Sequence, residues 1–102
     1  MAWKVIEYET RQVPWNGEVE GDVYWAVLKN RKTGKEVEFE LFDGTYYGEK
    51  GKELGIVEVM IDGAVDFSRI FSEEERSKVL CELKERYKDI ISERLALQIF
   101  CL

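Results

Sequence analysis

Glu36, Glu38 and Glu40 alternate with Val37, Phe39 and Leu41, the most regular array of groups able to do chemistry in this 102-residue chain. At the strand period of two, the carboxylates share one face and the apolar residues the other. Glu58, in the similar run from Ile56 to Ile61, is a fourth candidate for a sheet-face carboxylate. Paired carboxylates run hydrolysis when their surroundings push their pKa values apart. A row alternating along an open sheet face lacks that perturbation, and its ordinary use is to keep the face wet and the sheet from aggregating. The sharper use is an acidic docking surface for a basic partner.

Other reactive groups are sparse. The chain has no histidine, the commonest general base and a frequent metal ligand. Serines at 68, 72, 77 and 92 form no Gly-x-Ser-x-Gly elbow. Gly48-Glu49-Lys50-Gly51-Lys52 imitates a phosphate loop, but Tyr46 stands where Gly is needed and Glu53 where Ser or Thr is needed. Asp62 and Asp66 flank a turn without the ligand ladder of a calcium loop. Cys81 and Cys101 are twenty residues apart on one predicted helix, up to ~30 Å by helical rise, too far for a disulfide. They are too few for a zinc site, so they are expected as reduced, packed groups. No cofactor and no metal are expected.

Aromatic side chains offer a second kind of contact. Tyr46 and Tyr47 stand in a glycine-punctuated stretch from Asp43 to Gly55, and Trp15 in the turn cluster Val13-Pro14-Trp15-Asn16-Gly17. Exposed, such residues anchor interfaces. Folded back, they close the ends of a sheet.

The elements that must position these groups are four strands and a helix. Trp3 to Thr10, Asp22 to Lys29, the Glu36–Leu41 alternation and Ile56 to Ile61 read as strands. Asn30-Arg31-Lys32-Thr33-Gly34 reads as a hairpin connection with Gly34 at positive φ. The stretch 62–71 reads as a loop returning over the sheet. Ser72 with Glu75 has the spacing of a capping box, opening a helix from about 73 to 98. Val79, Leu80, Leu83, Tyr87, Ile90, Ile91 and Leu95 form its apolar stripe. The expected fold is a single α+β domain over 1–102: a four-stranded, mainly antiparallel meander over about 3–61, packed against one long C-terminal helix. Burying both apolar surfaces, at about 25 cal/mol per Å2, is its source of stability.

Arg94 falls mid-stripe on that helix, while Leu97, Ile99 and Phe100 extend the apolar surplus past it. A twofold homodimer burying Leu97, Ile99 and Phe100, with Arg94 meeting an acid across the axis, is therefore expected. A tail tucked under its own sheet is the competing arrangement.

The net charge is −6. All of it belongs to residues 1–66, with eight Lys and Arg against fourteen Asp and Glu. A phosphate backbone is thus a poor direct ligand. No apolar run reaches membrane-spanning length and the start carries no signal-peptide core, so a cytoplasmic protein is expected. Sixteen Glu against four amide side chains is a bias of heat-adapted proteins. No motif assigns an activity. The expectation is a non-catalytic, acidic protein–protein interaction module using Glu36, Glu38, Glu40, Trp15, Tyr46 and Tyr47, docking on a basic surface such as that of a nucleic-acid-binding protein. The alternative is a small hydrolase or ligand-binding domain using Glu38, Glu40 or Glu58.

Overall fold

A computed structural model describes residues 3–48 and 51–91. Its strands are β1 (Trp3–Val13), β2 (Val19–Asn30), β3 (Glu36–Tyr47), β4 (Glu53–Ile61) and β5 (Ala64–Ser72). A 3-10 turn (Glu73–Glu75) and helix α1 (Arg76–Arg86) follow. Each strand pairs antiparallel with the next, in the order β1-β2-β3-β4-β5. The architecture is the predicted α+β meander with a C-terminal helix, but the sheet has five strands, not four. No described helix is long and apolar enough to cross a membrane.

The fifth strand replaces the expected loop over 62–71. Asp62 and Gly63 both have positive φ, 51° and 80°, the backbone of a two-residue hairpin turn whose twist suits the flanking strands. Asp62 also ties the turn to β3: its Oδ1 accepts from the Glu38 N–H at 2.9 Å, and its own N–H donates to the Glu38 carbonyl at 2.9 Å. A register shift between Val59 and Met60 blurs the strand alternation opposite Asp66.

Strands β1 to β4 are also longer than their patterns imply. Tyr46 and Tyr47 belong to β3 rather than to a glycine-rich loop, because Gly44 and Gly55 sit inside strands. A Cβ on Gly21 would lie 2.6 Å from the Gly44 Cα, and one on Gly55 would drive into the Phe71 ring. These glycines permit close approach rather than turning the chain. Gly34 has φ 76° and ends the β2–β3 connection as expected.

Helix α1 covers one face of the sheet. Val79, Leu80, Leu83, Tyr87 and Ile91 close a core with Ala26, Leu28, Phe39, Leu41, Val57, Val59 and Phe71. The Tyr87 ring stands edge-on to Phe39 at 5.5 Å, and its hydroxyl donates to Asp66. Burial, and after it that hydrogen bond, pushes the Tyr87 phenol above its ordinary 10.0. Helix α1 ends at Arg86, with Tyr87 at φ −104°, ψ 10°, and the part of the expected helix from 92 to 98 lies outside the described residues. Contacts of Tyr87 with Phe39 and Asp66 take precedence there over helical propensity. The capping box does not form either. The Ser72 side chain makes no cap bond, and Glu75 instead receives Arg69 Nη2 at 2.9 Å. Cys81 is exposed, not packed. Arg94, Leu97, Ile99, Phe100 and Cys101 lie outside the described residues.

Candidate functional site

The pleat sorts the candidate residues onto two faces. Glu36, Glu38, Glu40 and Tyr46 point from β3 away from α1, while Tyr47 points to the helix side. On the face away from α1, Val23 is buried and its neighbours are partly open. Its register places Trp25 opposite Glu40, Val27 opposite Glu38 and Val23 opposite Phe42 on β2–β3. Met60 faces Glu40 and Glu58 faces Phe42 on β3–β4. The acidic row is therefore one stripe on a largely apolar surface, with Trp25, Val27, Phe42, Ile56 and Met60 all half-buried. Ile70, 50% exposed, continues this surface onto β5. On β2 this surface is Val23, Trp25 and Val27, alternating with Tyr24, Ala26 and Leu28 of the opposite face.

A shallow cleft of about 300 Å3 on this face is lined by Glu9, Arg11, Val23, Trp25, Glu38 and Glu40. Arg11 Nη2 lies 3.7 Å from Glu40 Oε1, an exposed contact of small energetic weight. Glu58 stands one strand further, its Oε2 accepting from the Ser68 hydroxyl at 3.4 Å. The sheet thus brings Glu38 and Glu40 together and leaves Glu58 beside them.

On the helix side the core stops short of the Pro14 end. There the inner face of β2 turns from Ala26 and Tyr24 to Asp22 and Glu20, and that of β3 from Phe39 and Leu41 to Asp43 and Thr45. These residues, with Gln12, Val13, Pro14 and Arg76, line a cleft of about 320 Å3. Asp43 is only 6% exposed. Its Oδ2 receives Arg76 Nη2 at 2.6 Å, and its Oδ1 has no hydrogen-bond partner among the described residues. Burial raises the Asp43 carboxyl above its ordinary 3.8, against the lowering by Arg76. Tyr47 donates its hydroxyl to Glu20 at the rim. That bond, before any other cause, pushes the Tyr47 phenol up from 10.0 to about 12. Trp15, 61% exposed, meets the Tyr47 ring edge-on at 6.4 Å. Trp15 and Tyr47 therefore belong to this end of the molecule and not to the acidic row.

Asp22, Asp43 and Arg76 carry no motif in the sequence. Their signal was the loss of apolar alternation on two strands, which becomes one event only once Asp22 and Asp43 are placed opposite each other. Among the described residues no group of three or more His, Cys, Asp or Glu is placed to hold a metal ion. Comparison with protein-family models, curated proteins and solved structures finds no match to this chain.

Proposed function

We propose that the chain is a non-catalytic, acidic protein–protein interaction module that docks through the sheet face opposite α1. The observation that supports this reading is the juxtaposition of Glu38 and Glu40 with half-buried Trp25, Val27 and Met60 on the sheet face away from α1. Apolar area with an aromatic anchor supplies affinity, and the carboxylates select the sign of the partner's charge. The complementary partner is a protein surface combining Lys or Arg with apolar groups. The basic groove of a nucleic-acid-binding protein is the class proposed, with this chain occupying it in place of phosphate.

Charge reversal tests the reading. Glu38→Lys with Glu40→Lys is expected to weaken capture of the native partner about tenfold or more, as placing like charges opposite a basic surface costs several kcal/mol. Raising salt to about 1 M, where the Debye length is about 3 Å, is expected to release wild-type complex as well. Quantitative pull-down from the native source, in both salts, reads both effects. A partner held equally by wild type and reversal variant overturns the proposal.

Self-association through Arg94, Leu97, Ile99 and Phe100 is proposed on sequence surplus alone. Light scattering on the full chain is expected to give a twofold dimer at micromolar concentration, and a monomer after truncation at Arg94. A full-length monomer sinks it.

A further inference from the structure

The cleft at the Pro14 end has features that the docking face does not explain. Two adjacent strands change from apolar to polar at the same level of the sheet, on the face that elsewhere builds the core. Extending Tyr24 and Leu41 with further apolar residues would have enlarged the core beneath the start of α1. Instead the chain places Asp22 and Asp43 opposite each other, with Glu20 opposite Thr45. Like charges directly across a strand pair destabilise the sheet. Asp43 adds a second cost, because Oδ1 is closed off from solvent without a donor, and buried acceptors normally have one.

What this cleft lacks defines its ligand. It holds three carboxylates, Glu20, Asp22 and Asp43, against the single guanidinium of Arg76. Arg76 is committed to Asp43 Oδ2 and Tyr47 to Glu20. The unmet demand is for N–H donors carrying positive charge. An anion or a neutral ether would leave the imbalance in place. Pro14 adds an apolar margin beside the acids, suited to methylene groups. The volume of about 320 Å3 is at the small end of the pockets that hold organic ligands, roughly 300–1,000 Å3.

We propose that this cleft binds a small alkylammonium ion, its N–H groups donating to Asp43 Oδ1 and Asp22 and its carbon chain lying along Pro14. Arg76, whose side chain is 42% exposed, is the wall that yields to let the ammonium reach Asp43. The site is on the opposite side of the sheet from Glu38 and Glu40, so it stands or falls apart from the docking proposal.

Amide NMR of the isotope-labelled full chain provides the test, with putrescine as probe and butanediol and succinate as controls at matched ionic strength. Putrescine is expected to give saturable shifts centred on Gly21, Asp22, Asp43 and Gly44, while both controls give none. Asp43→Asn and, separately, Asp22→Asn should each weaken binding about tenfold, the loss of one charge-assisted hydrogen bond. Glu82→Gln, on the exposed side of α1, should bind as wild type does. Asp22 is partly exposed, so Asp22→Asn keeps the test valid should Asp43→Asn fail to fold. Unsaturated shifts spread over both faces, butanediol binding as well as putrescine, or a folded Asp22→Asn variant with wild-type affinity overturns the site.

Discussion

Phe39→Ala is expected to lower the free energy of unfolding by about 3–5 kcal/mol. Phe39 is wholly buried on β3, the central strand of the five. Its register neighbours are Ala26 on β2 and Ile61 on β4. Ala26 has no side chain long enough to enter the space a missing ring would leave. Tyr87 lies edge-on to the ring but is tethered through its hydroxyl to Asp66, so moving inward would cost that bond. A site that cannot collapse pays for transfer and for cavity together, which places Phe39 high in the range. Against a typical total of about 5–15 kcal/mol, the loss is a large fraction of all stability. Urea denaturation should show a lowered midpoint with an unchanged slope, the signature of altered stability rather than altered unfolded state. A change below about 1 kcal/mol would mean that α1 does not seal this face.

The residues that were legible are those whose environment follows from local pattern. Val37, Phe39 and Leu41 alternate without a break, and all three are buried. Val79, Leu80, Leu83, Tyr87 and Ile91 keep helical spacing, and all five enter the core. Asn30 and Gly34 act locally, Asn30 Oδ1 accepting from the Lys32 and Thr33 amides at 2.9 and 3.1 Å. β5 escapes the sequence pattern because Asp62-Gly63 has the composition of a loop start, and because Asp66, Ser68 and Arg69 dilute its alternation at a sheet edge. There, most of its side chains are exposed, so little selects for alternation. Glu75 had two possible partners, the helix start or Arg69, and only the position of β5 decides between them. The acidic row was legible as charges, but not its apolar setting, since Trp25 and Met60 reach it from other strands. The cleft was illegible for the same reason: Asp22 and Asp43 meet only through register.

Gly44→Ala is expected to cost about 3 kcal/mol or more, at or beyond the upper end of ordinary overpacking. Gly44 pairs with Gly21 near the Val19–Tyr46 end of the β2–β3 ladder, and its φ is not in the left-handed region. The cost therefore comes from space alone. A Cβ there meets the Glu20 carbonyl oxygen well inside van der Waals contact, and the Phe42 ring at 2.8 Å. The ring can swing away toward the open face. The carbonyl cannot, because Glu20 is held by its backbone in β2, so the two strands must part or the pairing must slip by a residue. A slip would turn every side chain of β3 to the wrong face, exchanging Phe39 for Glu38 in the core. Parting is the smaller loss, and it would be felt next to Asp43 and at the Tyr47–Glu20 contact. Gly63→Ala is the internal control. Its Cβ would meet nothing within 4 Å, but its φ is +80°, so its cost is conformational, about 1–2 kcal/mol. Urea midpoints should rank Gly44→Ala below Gly63→Ala, with amide shifts at residues 19–22 in the first variant and near the β4–β5 turn in the second. Equal midpoints would show that β2 and β3 are not pinched at these glycines, and the cleft beside them would lose its floor.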